Sequence, residues 1–212
     1  TPSGVALISV EDSGENRILY VPGTTLLVTP AAARGAVARI EPAFVLLTLE
    51  LPAETLAALV ATANEHGATV ALNATPEPAS AEPLLPEIQI LIVNEVEAAA
   101  LIGSPVTGAT SQEAARALRE RGPDKVVITL GSEGAAIASA DGVERISART
   151  VETVDTTGAG DTLCGAMVAA LARGEAFAAA VRYGVSAASL AVTKAGAQAA
   201  IPTRDEVERW NV

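Results

Sequence analysis

The chain has 212 residues, of which 50% are apolar and only 2% aromatic, so it can form one domain with a sizeable core of mainly small aliphatic side chains. Its formal net charge of −11 argues against binding to nucleic acid or to an anionic membrane through the overall electrostatic field. The sequence has no apolar run of membrane-spanning length and a single cysteine, Cys164, which together favour a soluble, cytoplasmic protein without an internal disulfide.

The first predicted elements are two short strands over residues 4–10 and 17–21. The polar residues between them, 11–16, contain a glycine and predict the turn of a β-hairpin. A hairpin outside an α/β core needs other strands or a partner surface for stability. An ordinary edge hairpin is the structural alternative to a hairpin that covers a binding site.

From Thr25 onward, patterns typical of strands and helices alternate, which predicts an α/β fold with a largely parallel sheet. Continuous apolar runs such as 45–49 are typical of parallel strands that are covered on both faces. The proline-rich residues 76–86 predict a loop. The other predicted strands cover 69–73, 88–93, 125–130, 135–139 and 143–146, and the predicted helices cover 30–39, 52–64, 111–121, 162–173, 176–192 and about 204–210.

Polar side chains follow two of the predicted parallel strands, at the edge of the sheet where ligands bind in open α/β folds. Glu50 follows the strand at 45–49, and either a binding role or a solvated strand-end carboxylate is compatible with its position. Asn94 and Glu97 follow the strand at 88–93, and their spacing of three residues fits a helix capping box. A purely structural role therefore competes with a functional one for this pair.

The stretch 154–162 follows a short β-branched run and opens a helix rich in small residues. Glycines on both sides of Ala159 precede Asp161 at the helix N-terminus, where unpaired N–H groups and the helix dipole favour a phosphate. Leu163 stands where a dinucleotide fingerprint needs its third glycine, and the stretch has neither the lysine of a Walker loop nor the serine of a nucleophile elbow. The remaining chemistry is proton abstraction by Asp161 from an alcohol that attacks a phosphoryl group. The alternative is a glycine turn in which Asp161 only stabilises the first helical turn.

Residues 155–162, Asp-Thr-Thr-Gly-Ala-Gly-Asp-Thr, resemble the C-terminal signature of the ribokinase-like sugar and nucleoside kinases. Residues 3–8 and 14–16 resemble the lid segment of the ribokinase members of that family. The resemblance implies a three-layer α/β/α sandwich with a mostly parallel sheet. It also implies a partial β-hairpin lid at 1–25 and a nucleotide-binding and catalytic domain at 26–212.

The family resemblance also implies roles for individual residues. Asp161 is expected to be the catalytic base, the amides of Gly158, Ala159 and Gly160 to stabilise the transferring group, and Glu50 and Asp161 to contact the substrate. Glu97 is expected to orient Mg²⁺ and the phosphates through water, since a lone carboxylate suits a largely hydrated Mg²⁺. The expected nucleotide-binding residues are Asn94, Thr129, Gly131, Ser132, Gly134 and Gly160. The expected oxygen donors of a monovalent cation, K⁺, lie at Asp155, Thr157, Ala191, Lys194, Gly196 and Ala200.

The resemblance implies that the chain phosphorylates a sugar hydroxyl with ATP, with D-ribose as the expected substrate and ribose 5-phosphate as the product. It also implies a homodimer that forms through the lid. Fructokinase, 2-keto-3-deoxygluconate kinase and adenosine kinase activities are alternatives, as is an inert nucleotide-binding fragment. The family's N-terminal strand, with its sugar-binding aspartate and Gly-Gly region, has no counterpart in the sequence. We therefore expect roughly a third of a family member's chain to be missing.

Overall fold

The computed structural model describes residues 2–10 and 16–210. The described part begins with an antiparallel hairpin in which β1 (Val5–Val10) pairs with β2 (Asn16–Val21). This pairing confirms the predicted hairpin. Residues 11–15 of the predicted turn, with part of the lid-like motif at 14–16, lie outside the described residues.

The main sheet has six strands in sequential order. Its strands are β3 (Phe44–Thr48), β4 (Thr69–Asn73), β5 (Ile90–Asn94), β6 (Lys125–Thr129), β7 (Ala135–Ser139) and β8 (Gly142–Ile146). The pairs from β3 to β6 are parallel. The connections that lead into β7 and β8 are too short for a parallel crossover, so these strands make the sheet mixed. The sheet confirms the predicted α/β class.

Seven α-helices occur in the described part of the chain, and the predicted helices are all present with small shifts at their ends. They are α1 (Pro30–Ile40), α2 (Ala53–Glu65), α3 (Glu95–Ile102), α4 (Ser111–Arg119), α5 (Ala159–Ala172), α6 (Phe177–Ala191) and α7 (Arg204–Trp210). Short 3₁₀ segments cover Gly23–Leu27, Pro78–Glu87, Gly131–Glu133 and Gln198–Ala200.

The chain separates into two compact units. The first consists mainly of Pro22–Leu130 and Ala136–Arg145, and its core is centred on β4, β5 and β6. The second consists of Val5–Val21, Gly131–Ala135 and Ile146–Val212, and its helices α5 and α6 pack closely against each other.

Two predictions about the first unit are wrong. The strand at 45–49 was expected to be covered on both faces, but Leu46 is 38% exposed. The reason is that, among residues 2–10 and 16–210, β3 lies at the edge of the sheet and pairs with β4 alone. The expected loop at 76–86 is largely a 3₁₀ segment, in which Ala81, Leu84 and Leu85 are buried. Its prolines remove amide donors, but their fixed φ is compatible with helical turns of this short kind.

Candidate active site

The expected catalytic stretch forms the N-terminus of α5. Gly158 is the N-cap with a φ of +75°, a left-handed conformation that glycine adopts without strain. The helix begins at Ala159, three residues earlier than predicted, so the exposed Asp161 lies within its first turn. The Ala159 amide donates to the Thr156 carbonyl oxygen at 3.2 Å. The first amides of a helix otherwise lack intrahelical acceptors, and they lie at the positive end of the helix dipole.

Asp155 joins this stretch to the loop that follows α6. Its Oδ1 accepts a hydrogen bond from the Thr157 amide at 2.9 Å, and its Oδ2 accepts one from the Gly196 amide at 2.8 Å. Hydrogen bonding lowers the pKa of Asp155. The Thr157 side chain has the largest effect, and the Gly196 and Thr157 amides lower the pKa further. The structure thus brings together three of the residues predicted for the monovalent cation, around an ionised carboxylate.

The other three predicted cation residues lie along the same loop. Ala191 and Ala200 are buried near its two ends, and neither has a side-chain oxygen. The Lys194 ammonium lies 3.1 Å from Oε1 of Glu206 in α7. These three residues can offer a cation only their main-chain carbonyl oxygens. Gly196 has a φ of +92°, so it turns the loop in a way that favours glycine.

Asn94 and Glu97 form the predicted capping box at the start of α3. The Glu97 amide donates to Oδ1 of Asn94 at 2.8 Å, and the Asn94 amide donates to Oε2 of Glu97, also at 2.8 Å. Glu97 is only 8% exposed. Its burial raises the pKa of the carboxyl group, and hydrogen bonds from the Asn94 amide and the Thr75 side chain oppose this rise.

Two further predicted residues lie at the carboxyl edge of the same sheet. Thr129 lies opposite Asn94 in the parallel register of β5 and β6. Glu50 is exposed just beyond β3, where its Oε2 accepts a hydrogen bond from the Thr48 hydroxyl at 2.9 Å. Parallel strands therefore deliver Glu50, Asn94 and Thr129 to one edge, as the alternation in the sequence predicts.

The predicted nucleotide-binding turn in the second unit is a single 3₁₀ turn over Gly131–Glu133. The Gly134 amide donates to the Gly131 carbonyl oxygen at 3.1 Å. A Cβ atom on Gly134 would lie 1.9 Å from the Ile146 carbonyl oxygen, so the backbones approach too closely for any other residue. Ser132 is exposed at the surface of this turn.

Sequence analysis missed one residue of the carboxyl edge, Thr75. Its carbonyl oxygen accepts the Leu49 amide at 2.8 Å, and its side chain is one of the causes that lower the pKa of Glu97 against the rise from burial. Thr75 follows β4 just as Glu50 follows β3 and Asn94 ends β5. The same rule of polar residues at strand ends would have identified it.

The donor set around Glu97 is compatible with a largely hydrated Mg²⁺. Within residues 2–10 and 16–210, no three His, Cys, Asp or Glu side chains cluster in a way that could hold a metal ion. Mg²⁺ commonly keeps several waters and binds through one or two carboxylates together with substrate phosphates. Glu97 can serve as such a carboxylate, since each of its oxygens has two acceptor positions.

Among the described residues, no helix is both long and apolar enough to cross a membrane.

Comparison with known proteins gives matches along nearly the whole chain. The family model described as "pfkB family carbohydrate kinase" matches residues 1–204. A ribokinase of Staphylococcus aureus is 37% identical over 210 residues, which cover 98% of this chain and 69% of that protein.

Solved structures give the same result for the fold. The crystal structure of a ribokinase from Thermotoga maritima matches with a TM-score of 0.86 and 31% identity, over 99% of this chain and 70% of that one. A structure of Arabidopsis thaliana ribokinase complexed with ribose and ATP matches with a TM-score of 0.84 and 27% identity, over 99% of this chain and 69% of that one. These likenesses confirm the ribokinase-like α/β fold class.

Proposed function

The chain belongs to the pfkB family of carbohydrate kinases, and on that premise we propose that it transfers the γ-phosphoryl group of ATP to a primary hydroxyl of ribose, giving ribose 5-phosphate. The observation that carries the proposal is Asp161, an exposed carboxylate in the first turn of α5, directly after the glycine-flanked N-terminus of that helix. The ribokinase relative at 37% identity supports ribose as the acceptor. The Arabidopsis structure with ribose and ATP supports the choice of both substrates.

In the proposed reaction, Asp161 accepts the proton of the attacking hydroxyl, whose oxygen forms a bond to the γ-phosphorus while the bond to the leaving ADP oxygen breaks. The amides of Gly158, Ala159 and Gly160 face the charge on the transferring group. The Ala159 amide already donates to Thr156 in a long hydrogen bond, so we assign the larger share to the two glycine amides. Glu50 holds sugar hydroxyls at the end of β3.

We assign nucleotide binding to Asn94 and Thr129 at the sheet edge and to Gly131, Ser132 and Gly134 in the 3₁₀ turn. When bound, Mg²⁺ would neutralise charge on the nucleotide phosphates, and Glu97 would orient its hydration shell. When bound, K⁺ would add positive charge to the segment that leads into α5. Asp155 and Thr157, with the main-chain oxygens of Ala191, Lys194, Gly196 and Ala200, would hold it.

We also propose that two copies of the chain associate through the β1–β2 hairpin. The hairpin exposes large apolar side chains, including Leu7 at 62% and Leu19 at 64% exposure. A second copy would cover this apolar surface. Light scattering should give twice the chain mass for the unaltered protein and a lower mass for Leu19→Asp, and equal masses would contradict the proposal. We also propose a cytoplasmic location. The need for ATP and the presence of a single cysteine, which cannot form an intrachain disulfide, support it.

The proposed activity can be tested with the purified protein. We expect ATP-dependent formation of ribose 5-phosphate, with lower rates on fructose, 2-keto-3-deoxygluconate and adenosine. Asp161→Asn should lower kcat by about 100- to 10,000-fold, the usual contribution of general base catalysis, and leave ATP affinity nearly unchanged. Nucleotide binding without sugar binding or turnover would favour an inert nucleotide-binding protein, and unchanged turnover in Asp161→Asn would remove this residue from the mechanism.

A further inference from the structure

The loop between α6 and α7 is held at its start and in its middle by the segment that leads into α5. The Val192 carbonyl oxygen accepts the amides of Val154 and Asp155 at 2.8 and 3.3 Å. The Gly196 amide donates to Oδ2 of Asp155 at 2.8 Å. These contacts fix the backbone on both sides of Lys194, whose main-chain carbonyl oxygen is one of the oxygens that we assign to K⁺.

Glu206, in the first turn of α7, uses its two carboxylate oxygens for different partners. Its Oε2 accepts hydrogen bonds from the amide and the hydroxyl of Thr203, at 2.7 and 2.8 Å. The Glu206 amide donates in turn to the Thr203 hydroxyl oxygen at 3.4 Å, which completes the pattern of a capping box. The other oxygen, Oε1, lies 3.1 Å from the ammonium of Lys194. The cap needs only Oε2, so the contact with Lys194 is an additional one that joins α7 to the loop.

We propose that Glu206 is a positioning residue of the K⁺ site, which holds Lys194 by its ammonium and so keeps the loop in the conformation that binds the cation. This inference rests on the proposed K⁺ site. In this role neither side chain contacts the cation. Main-chain oxygens bind an ion only when the loop that carries them is ordered, and a contact that orders the loop beforehand removes part of that entropic cost.

Positioning and charge have opposite effects in one substitution, Lys194→Met. This change removes a positive charge near a cation site, which by charge alone would tighten K⁺ binding. It also breaks the contact with Glu206, which by positioning would weaken K⁺ binding. The main-chain carbonyl oxygen of residue 194 remains in either case. The direction of the change therefore identifies the mechanism.

The experiment measures K⁺ binding from the rise of the melting temperature with K⁺ concentration, at constant ionic strength with choline chloride as the replacement salt. The side chains of Lys194 and Glu206 are 43% and 37% exposed, so their contact has the strength of a surface ion pair. Lys194→Met should therefore raise the dissociation constant for K⁺ by about two- to fivefold. Lys194→Arg keeps a cation at this position and should restore the binding. Glu206→Gln should also weaken K⁺ binding, and Lys194→Met should add no further loss in that background.

Glu208→Gln is the matched control in the same helix. Oε1 of Glu208 lies 2.5 Å from Nε of Arg204, so this pair lies within α7 and its loss should leave K⁺ binding unchanged. Unchanged or tighter binding in Lys194→Met, equal weakening in Glu208→Gln, or no stabilisation of the unaltered protein by K⁺ would each overturn the inference. If Lys194→Met does not fold, Lys194→Gln takes its place in the same comparison.

Failure of the proposed function has a different signature. The unaltered protein would then form no ribose 5-phosphate from ribose and ATP, even if its stabilisation by K⁺ depended on Lys194 and Glu206. Conversely, transfer to ribose together with K⁺ binding that does not depend on this pair would leave the proposed function intact and remove Glu206 from the cation site.

Discussion

The close packing of α5 and α6 makes Gly184→Ala a quantitative test of how α5, which carries Asp161, is held. A Cβ atom on Gly184 would lie 2.8 Å from the Leu163 carbonyl oxygen and 3.2 Å from Cβ of Met167. Real Cβ atoms do not approach a carbonyl oxygen so closely, so the two helices must move apart. Overpacking of this kind costs about 1–3 kcal/mol, and the higher helix propensity of alanine offsets about 1 kcal/mol of it. For a chain of this size, the net loss of up to about 2 kcal/mol lowers the melting temperature by up to about 8 °C.

The matched control is Gly165→Ala, which makes the same substitution in the neighbouring helix α5. Gly165 is an exposed residue within α5, and a Cβ atom there would meet no atom within 4 Å. Only the propensity gain of about 0.5–1 kcal/mol remains, so the melting temperature should rise by about 1–4 °C. Scanning calorimetry and urea titration of both variants measure the effect. Shifts of the same sign in Gly184→Ala and Gly165→Ala would refute the packing explanation.

Two further predictions concern carboxylates of the second unit. Asp155→Ala removes the acceptor of the Thr157 and Gly196 amides, so the K⁺ concentration needed for half-maximal activity should rise by about 10- to 100-fold; an unchanged K⁺ dependence would contradict this role. The amide and hydroxyl of Thr203 lower the pKa of Glu206 to about 2, so Glu206 stabilises the fold above its ordinary pKa and loses this effect as the pH falls towards 2. Glu206→Gln should therefore melt at a lower temperature than the unaltered protein at pH 7, and the gap should shrink between pH 5 and pH 2. A gap that is constant with pH would show that Glu206 does not act through its charge.

The fold could be predicted from the sequence wherever local signals agreed with tertiary packing. The helix predicted at 30–39 is α1, and at its start the Thr29 hydroxyl oxygen accepts the Ala32 amide in front of Pro30. The wrong prediction for β3 has another cause, because an apolar run reports the composition of a strand but not its place in the sheet. The start of α5 moved from 162 to Ala159 because the left-handed Gly158 caps the helix, and glycines inside a predicted turn do not reveal which one is the cap.

The candidate site could be predicted in part, and the limits follow from the kind of contact involved. Side chains at strand ends, such as Glu50 and Asn94, are visible as polar residues after apolar runs. The contact between the Gly196 amide and Asp155 cannot be seen in the sequence, because nearly every residue has an amide and the two positions are 41 residues apart. The place of Thr75 at the same edge also went unnoticed, since a threonine before a proline is an ordinary start of a loop.

The capping box of α3 shows why structural and functional roles for Glu97 are compatible. The box needs only one carboxylate oxygen, and Oε2 accepts the Asn94 amide. In a capping box on the protein surface, the second carboxylate oxygen would lie in bulk water, and water would already supply its hydrogen-bond donors. Glu97 is instead 8% exposed. Its burial raises the pKa of the carboxyl group, and hydrogen bonds with Asn94 and Thr75 oppose part of this rise. A cap alone does not require a buried carboxylate, and the acceptor positions that the cap does not use are those that a hydrated cation would need.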